Sequence, residues 1–197
     1  MYEYADKIIT YLNRQFIEKF GRLKTIFIFD ELNVLQATKA LYAELDALVR
    51  EKLFLLANYV YEQYAVGDNS AITVDWLNDI LSDYNSVTKY VYEHEVERKC
   101  SRLAESLIAS PTKNVEIDTA LRYWSSMVTQ YAIEVTDKVV IQAYKDNGVQ
   151  RVKWISFNDK RRCKVCERRH GKIYDINKIP PKPHIGCRCY FEAITEG

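Results

Sequence analysis

Residues 115–147 read VEIDTALRYWSSMVTQYAIEVTDKVVIQAYKDN. Leu121, Trp124, Val128, Tyr131, Val135 and Val139 recur at gaps of three and four, the spacing that places side chains on one face of an α-helix. No Gly or Pro interrupts the run, and Asn147-Gly148 supplies the left-handed cap that ends it. The same economy of breakers marks the whole chain: 197 residues hold six Gly and four Pro. Few breakers mean few turns and long helices. Working outward, the spacing predicts a helix over about 2–20, stopped by Gly21. A second runs over about 31–66, capped by Asp30, with Leu41, Leu45, Leu48, Leu55 and Tyr59 as its apolar face. The cluster Gly67-Asp68-Asn69-Ser70 reads as a turn. Thr73 caps a helix through Leu81, and helical spacing resumes from Thr88 to Ala109, where Ser110-Pro111 breaks it. Ile26-Phe27-Ile28-Phe29 is either a strand or a buried connector.

From Gln150 the character changes. Val152 to Ser156, Ile173 to Asp175 and Cys189 to Ala193 read as short strands. Residues 151–197 hold twelve Lys or Arg and five Asp or Glu, a net of +7, whereas residues 1–150 hold sixteen and twenty-two, a net of −6. The near-neutral total of +1 therefore hides an acidic part and a basic part. The expected fold is mainly α: a long-helix body over 1–149 and a small C-terminal α+β zinc-bearing module of short strands over 150–197. A hydrophobic content of 48% excludes wholesale disorder. No apolar stretch approaches the length of a membrane span, and the start MYEYADKIIT lacks the basic-then-apolar order of a signal peptide.

The chemistry concentrates in the basic end. Cys163 and Cys166 form a CxxC pair; His184, Cys187 and Cys189 follow within HIGCRC. Two residues between cysteines let one turn aim both sulfurs at one ion, and a second group about twenty residues later completes a tetrahedron. Zinc favours thiolate and imidazole ligands, and clustered cysteines without an export signal point to metal rather than disulfides. Five donors compete for four places. Cys163, Cys166 and Cys187 take three, and His184 and Cys189 contend for the fourth. In an extended segment Cys187 and Cys189 face the same way. A full ligand set implies a structural Zn2+. A metal-free reduced cluster or a disulfide is the alternative.

Other residues read more plainly. His170 and His94 are surface residues, Cys100 a small core residue, and Glu93, Glu95 and Glu97 a solvated face. No phosphate loop, GxSxG or HExxH occurs, and no base–nucleophile pair emerges, so no catalytic residue is assigned and no enzyme is expected. Lys160, Arg161, Arg162, Arg168 and Arg169 form a basic cluster suited to nucleic-acid phosphates or an acidic partner.

The order of features is a helix-rich body, Trp154 on a strand, Asp159, basic residues, CxxC, Gly171, a Pro-rich stretch and HxxCRC. Together with VTKYVYEHEVERKCSRLAESL upstream, it resembles the minor head, or head-morphogenesis, proteins of tailed bacteriophages and prophages, the family that includes protein F of phage Mu. The likeness spans residues 72–192 and is most specific over 150–190. It implies a portal-associated minor capsid protein of the virion, present in the host cytoplasm during assembly. It would act structurally in head assembly and in DNA packaging or ejection. The implied partners are the portal protein, major capsid or scaffold proteins and phage DNA, with no membrane and with room for an oligomer. The rival is a zinc-dependent nucleic-acid-binding regulator.

Overall fold

The computed structural model describes residues 2–25, 31–66, 71–157 and 162–194. Five helices come first: α1 (Glu3–Lys24), α2 (Glu31–Tyr64), α3 (Val74–Ser82), α4 (Tyr92–Ala109) and α5 (Lys113–Asp146). β1 (Arg151–Ile155), α6 (Lys164–Arg169), β2 (Ile173–Asp175) and β3 (Tyr190–Ile194) follow. The protein is mainly helical with a small three-stranded sheet at its C-terminal end, as the periodicities indicated. No helix among the described residues is long and apolar enough to cross a membrane.

Helix α5 is the hub: α1, α2 and α4 pack on it, α3 bridges α2 and α4, and β3 lies against it. Its Trp124, Val128, Tyr131, Val135 and Val139 are all buried. Burial goes beyond that stripe to Gln130, Ile133, Thr136, Asp137 and Val140, because the hub is covered on several sides. Trp124 sits fully buried between Phe16 of α1 and Tyr42 of α2, with ring centroids 5.6 and 5.3 Å away in edge-to-face contact.

Several local expectations are corrected. Gly21 does not stop α1, which continues to Lys24. A helical glycine costs only about 1 kcal/mol, and burial of Phe20 and Leu23 on either side outweighs it. In α2, Leu55 and Tyr59 are exposed, and the core face is Leu45, Val49, Leu53, Leu56 and Val60. Helix α4 begins at Tyr92 rather than Thr88. Asn85 Oδ1 instead accepts from the amides of Val87 and Thr88 at 2.9 and 2.8 Å, and Asn85 bridges to Tyr90, making 85–90 a turn. Thr73 caps α3 as expected, its Oγ1 accepting from Trp76 N at 3.1 Å. The 26–29 segment, Asp30 and the 67–70 turn lie outside the described residues.

In the sheet β1 is central, in the order β2-β1-β3, with both pairings antiparallel. Val152 and Trp154 alternate into a second, small core with Cys166, Ile176, Cys187, Cys189 and Phe191. Ile141 and Tyr144 of α5 pack against this core, so the sheet sits on the C-terminal half of the hub.

Candidate metal centre

The two arms of the cysteine cluster are built differently. Cys163 is the N-cap of α6, and its Sγ accepts from Cys166 N at 3.3 Å. One helical turn therefore sets the CxxC spacing, with backbone N–H groups aimed at sulfur. The second arm is the loop into β3. Gly186 turns it with a φ of 70°, a conformation that side-chain-bearing residues rarely adopt. Gly186 N donates to Gln130 Oε1 of α5 at 3.1 Å, which pins the loop to the hub.

These arms bring all five expected donors together. Cys163, Cys166 and His184 form one group whose ligand atoms lie within 4.8 Å of one another, and Cys166, Cys187 and Cys189 form another. Cys166 belongs to both. Its Sγ lies 3.6 Å from Cys187 Sγ and 3.7 Å from His184 Nε2. All five cysteines of the chain are free, and Cys100 is a buried core residue of α4. His184 Nδ1 faces the carbonyl of Ile185 at 3.0 Å. As a donor there, Nδ1 carries the ring proton and leaves the Nε2 lone pair for an ion. This cluster could hold a metal ion.

The thiols differ in acidity. Burial works against ionisation of Cys163, but hydrogen bonds from the Cys166 and Val165 amides prevail and bring it down to about 7. Burial first, then its neighbours Cys163 and Cys187, push Cys166 up to about 12. Hydrogen bonding with Cys187 lowers Cys189, and the same contact, with burial, raises Cys187. Without an ion the cluster thus shares protons among its sulfurs, and an ion binding there must displace them.

A buried polar network that the residue pattern did not signal joins this cluster to the helices. Tyr2 OH donates to Asp137 Oδ1 at 2.6 Å, and Lys182 Nζ meets Asp137 Oδ2 at 3.0 Å and Tyr2 OH at 2.9 Å. Lys182 Nζ also donates to the carbonyl of Cys189, from which Tyr2 OH lies 2.8 Å. The N-terminal turn of α1, the hub and the backbone of a candidate ligand therefore share one set of contacts. Burial raises the Asp137 carboxyl, with Lys182 and Tyr2 opposing the shift. Arg188, between two candidate ligands, pairs with Asp6 of α1. The clue available in the sequence was Asp137 itself, an acid amid Val135, Val139 and Val140.

The basic cluster is more engaged than its composition indicated. Lys160 and Arg161 lie outside the described residues, as does Asp159. Arg162 pairs with Glu167 at 3.1 Å, and Arg168 Nε donates to Lys164 O at 3.3 Å. Arg169 turns inward, donating to Pro181 O at 2.7 Å with its guanidinium 4.9 Å from the Trp154 ring centroid. His170 is exposed, as expected, yet its Nδ1 accepts from Ser156 N at 3.1 Å. His94 is exposed. Glu95 corrects the solvated-face reading of its segment. It is buried and held by Arg98 through two hydrogen bonds, of 2.7 and 2.9 Å. No protein-family model, no curated protein and no solved structure matches the chain.

Proposed function

We propose that the protein is a structural, portal-associated minor head protein of a tailed bacteriophage or prophage, and that its C-terminal module is held by one structural Zn2+. The observation that carries the structural role is the convergence of CxxC and HxxCRC on one cluster whose backbone also anchors the N-terminal helix. A zinc–sulfur bond of about 2.3 Å implies sulfur–sulfur edges of roughly 3.8 Å in a tetrahedron, and sulfur–nitrogen edges of roughly 3.6 Å. The 3.6 and 3.7 Å separations around Cys166 fit those edges. In this reading Cys163, Cys166 and Cys187 supply three ligands and His184 or Cys189 the fourth, with Cys166 shared by the two donor groups, Cys163–Cys166–His184 and Cys166–Cys187–Cys189. An ion held by four side chains keeps no position for a substrate, so in this reading the metal site is structural and not catalytic.

The phage reading is supported by the order of motifs along the chain and by the basic module following an acidic helical body. In this role the chain binds the portal and neighbouring capsid or scaffold subunits and acts in head assembly and in DNA packaging or ejection. Co-expression with the portal protein of the same phage, followed by size-exclusion chromatography, tests it. Co-elution that is lost on chelation is the expected result. A protein that elutes alone and binds duplex DNA with a steep salt dependence would favour the regulator instead.

A further inference from the structure

Lys182 is fixed at both ends. Its backbone lies between Pro181 and Pro183, whose rings restrict the chain on either side, and the Pro181 carbonyl is itself held by Arg169. Its ammonium is enclosed by groups from four other elements. Asp137 of α5 meets it at 3.0 Å, and the rings of Tyr2, Phe191 and Trp154 stand 5.4, 5.5 and 5.9 Å away. The side chain is 8% exposed.

From that position the ammonium reaches the carbonyls of both cysteines in the Cys187-Arg188-Cys189 run. It donates to Cys189 O, and Cys187 O lies 3.5 Å away. The two sulfurs meanwhile gather on Cys166, the three lying within 4.8 Å of one another, and Arg188 between them leaves for Asp6. One buried cation therefore holds the backbone of both donors while their side chains face the cluster. His184 has no comparable hold. Apart from Cys166, its ring is met by the carbonyl of the next residue, Ile185, a contact that travels with the loop and fixes nothing against the hub. Ile185 is exposed. A donor already fixed in place gives up less freedom when an ion binds than one that must first be ordered.

We propose that Lys182 is the positioning residue of the cluster: it presents Cys187 and Cys189 as a pair, so that Cys189, not His184, completes the ligand set with Cys163, Cys166 and Cys187. His184 stands by as the donor that takes the fourth place when Cys189 is removed or released. The inference rests on reading the cluster as a metal site, and cobalt tells the two apart. Co2+ occupies tetrahedral zinc sites, and its thiolate charge-transfer absorption strengthens with each sulfur that replaces a nitrogen.

The test titrates the full chain, reduced and metal-free, with Co2+ under nitrogen. The expected result is a four-sulfur spectrum that His184→Ala leaves in place and that Cys189→Ser converts to three sulfurs and one nitrogen. Lys182→Met is made together with Asp137→Asn, so that no unpaired charge stays buried. This double variant should show the same conversion with every cysteine intact. It should also bind Zn2+ about 10- to 100-fold more weakly in competition with a chromophoric chelator. A parent spectrum of three sulfurs and one nitrogen that His184→Ala alters would overturn the proposal while the metal site stands. So would a four-sulfur spectrum retained by the double variant. No uptake of either ion by the parent would overturn the metal reading itself. The His184→Ala and Cys189→Ser spectra leave Lys182 untouched, so the proposal stays open to contradiction whatever the stability of the double variant.

Discussion

The helical body and the C-terminal module solve the same problem with different means. Among the described residues the body buries a cluster of 36 apolar residues, in which Cys100 is a minor member. The module buries seven, and three of these are Cys166, Cys187 and Cys189. A core of that size does not offset the entropy of ordering three short strands, a six-residue helix and a Pro-rich loop. Ligand bonds can supply what burial does not. These cysteines serve two ends: they are the apolar filling of a small core and the candidate donors to a metal ion. The two regions are not independent, because Tyr2, Asp137 and Lys182 tie the first turn of α1 to the ligand loop.

The largest break in that comparison should come from Cys166→Ala, since this sulfur belongs to both donor groups. The module should lose amide protection and become open to proteolysis after about residue 150, at a cost of several kcal/mol, roughly the scale of structural metal sites. Far-ultraviolet circular dichroism should keep most of its helical signal, with fraying confined to the first turns of α1. Loss of most of the helical signal would show that body and module share one cooperative core.

Asp137→Ala probes the joint. It strands Lys182 Nζ, whose side chain is 8% exposed, without its carboxylate. Breaking a buried pair in this way costs about 3–5 kcal/mol, and urea unfolding should report a loss in that range. A loss under about 1 kcal/mol would mean that the joint contributes little and that the regions are separable.

Glu134 sharpens the comparison from the body side. Burial, aided by Asp137 and Asp83 and opposed by Lys138, raises its pKa from 4.5 to about 7. The folded state therefore holds this proton more tightly than the unfolded chain does. Stability should fall as pH rises from about 4.5 to about 7 and should be recovered on acidification through that window. Glu134→Gln keeps an oxygen acceptor for Asn85 Nδ2 and removes the charge. At pH 8 it should stabilise the protein by about 1–3 kcal/mol, with the advantage vanishing near pH 4.5. Chemical denaturation at the two pH values checks this.

The smallest effects distinguish two arginines of the basic cluster. Arg169→Gln removes the Pro181 contact and the stack on Trp154, so the module should lose about 1 kcal/mol. Arg168→Gln removes an exposed side chain with one long bond to Lys164 O, and thermal unfolding should move by less than about 0.5 kcal/mol. Equal effects would mean that the Trp154 stack does not stabilise the module.

What the sequence revealed follows the range of the interactions involved. Helices were legible in periodicity and breaker spacing, and the candidate metal donors in CxxC and HxxCRC, because both patterns are local. The buried face of α2 was not: Leu55 and Tyr59 are as apolar as Leu53 and Leu56, and only packing against the other helices chooses between them. Gly21 misled because tertiary burial overrode a local propensity. Asp137 and Glu95 escaped because an acid's burial depends on partners: Tyr2 lies 135 residues from Asp137, and Lys182 sits in a loop with no helical or strand signal. Arg169 was indistinguishable from its basic neighbours until the fold set it over Trp154.

The central claim is that the module owes its order to one ion. It is tested most directly by adding Zn2+ in steps to metal-free reduced protein while following the Trp154 indole and the 151–194 amides by NMR. The account predicts poorly dispersed module signals at the start, sharpening to a single folded set with an end point at one equivalent, against body signals already in place. Module signals fully dispersed before any metal is added, and unmoved by it, would contradict the account.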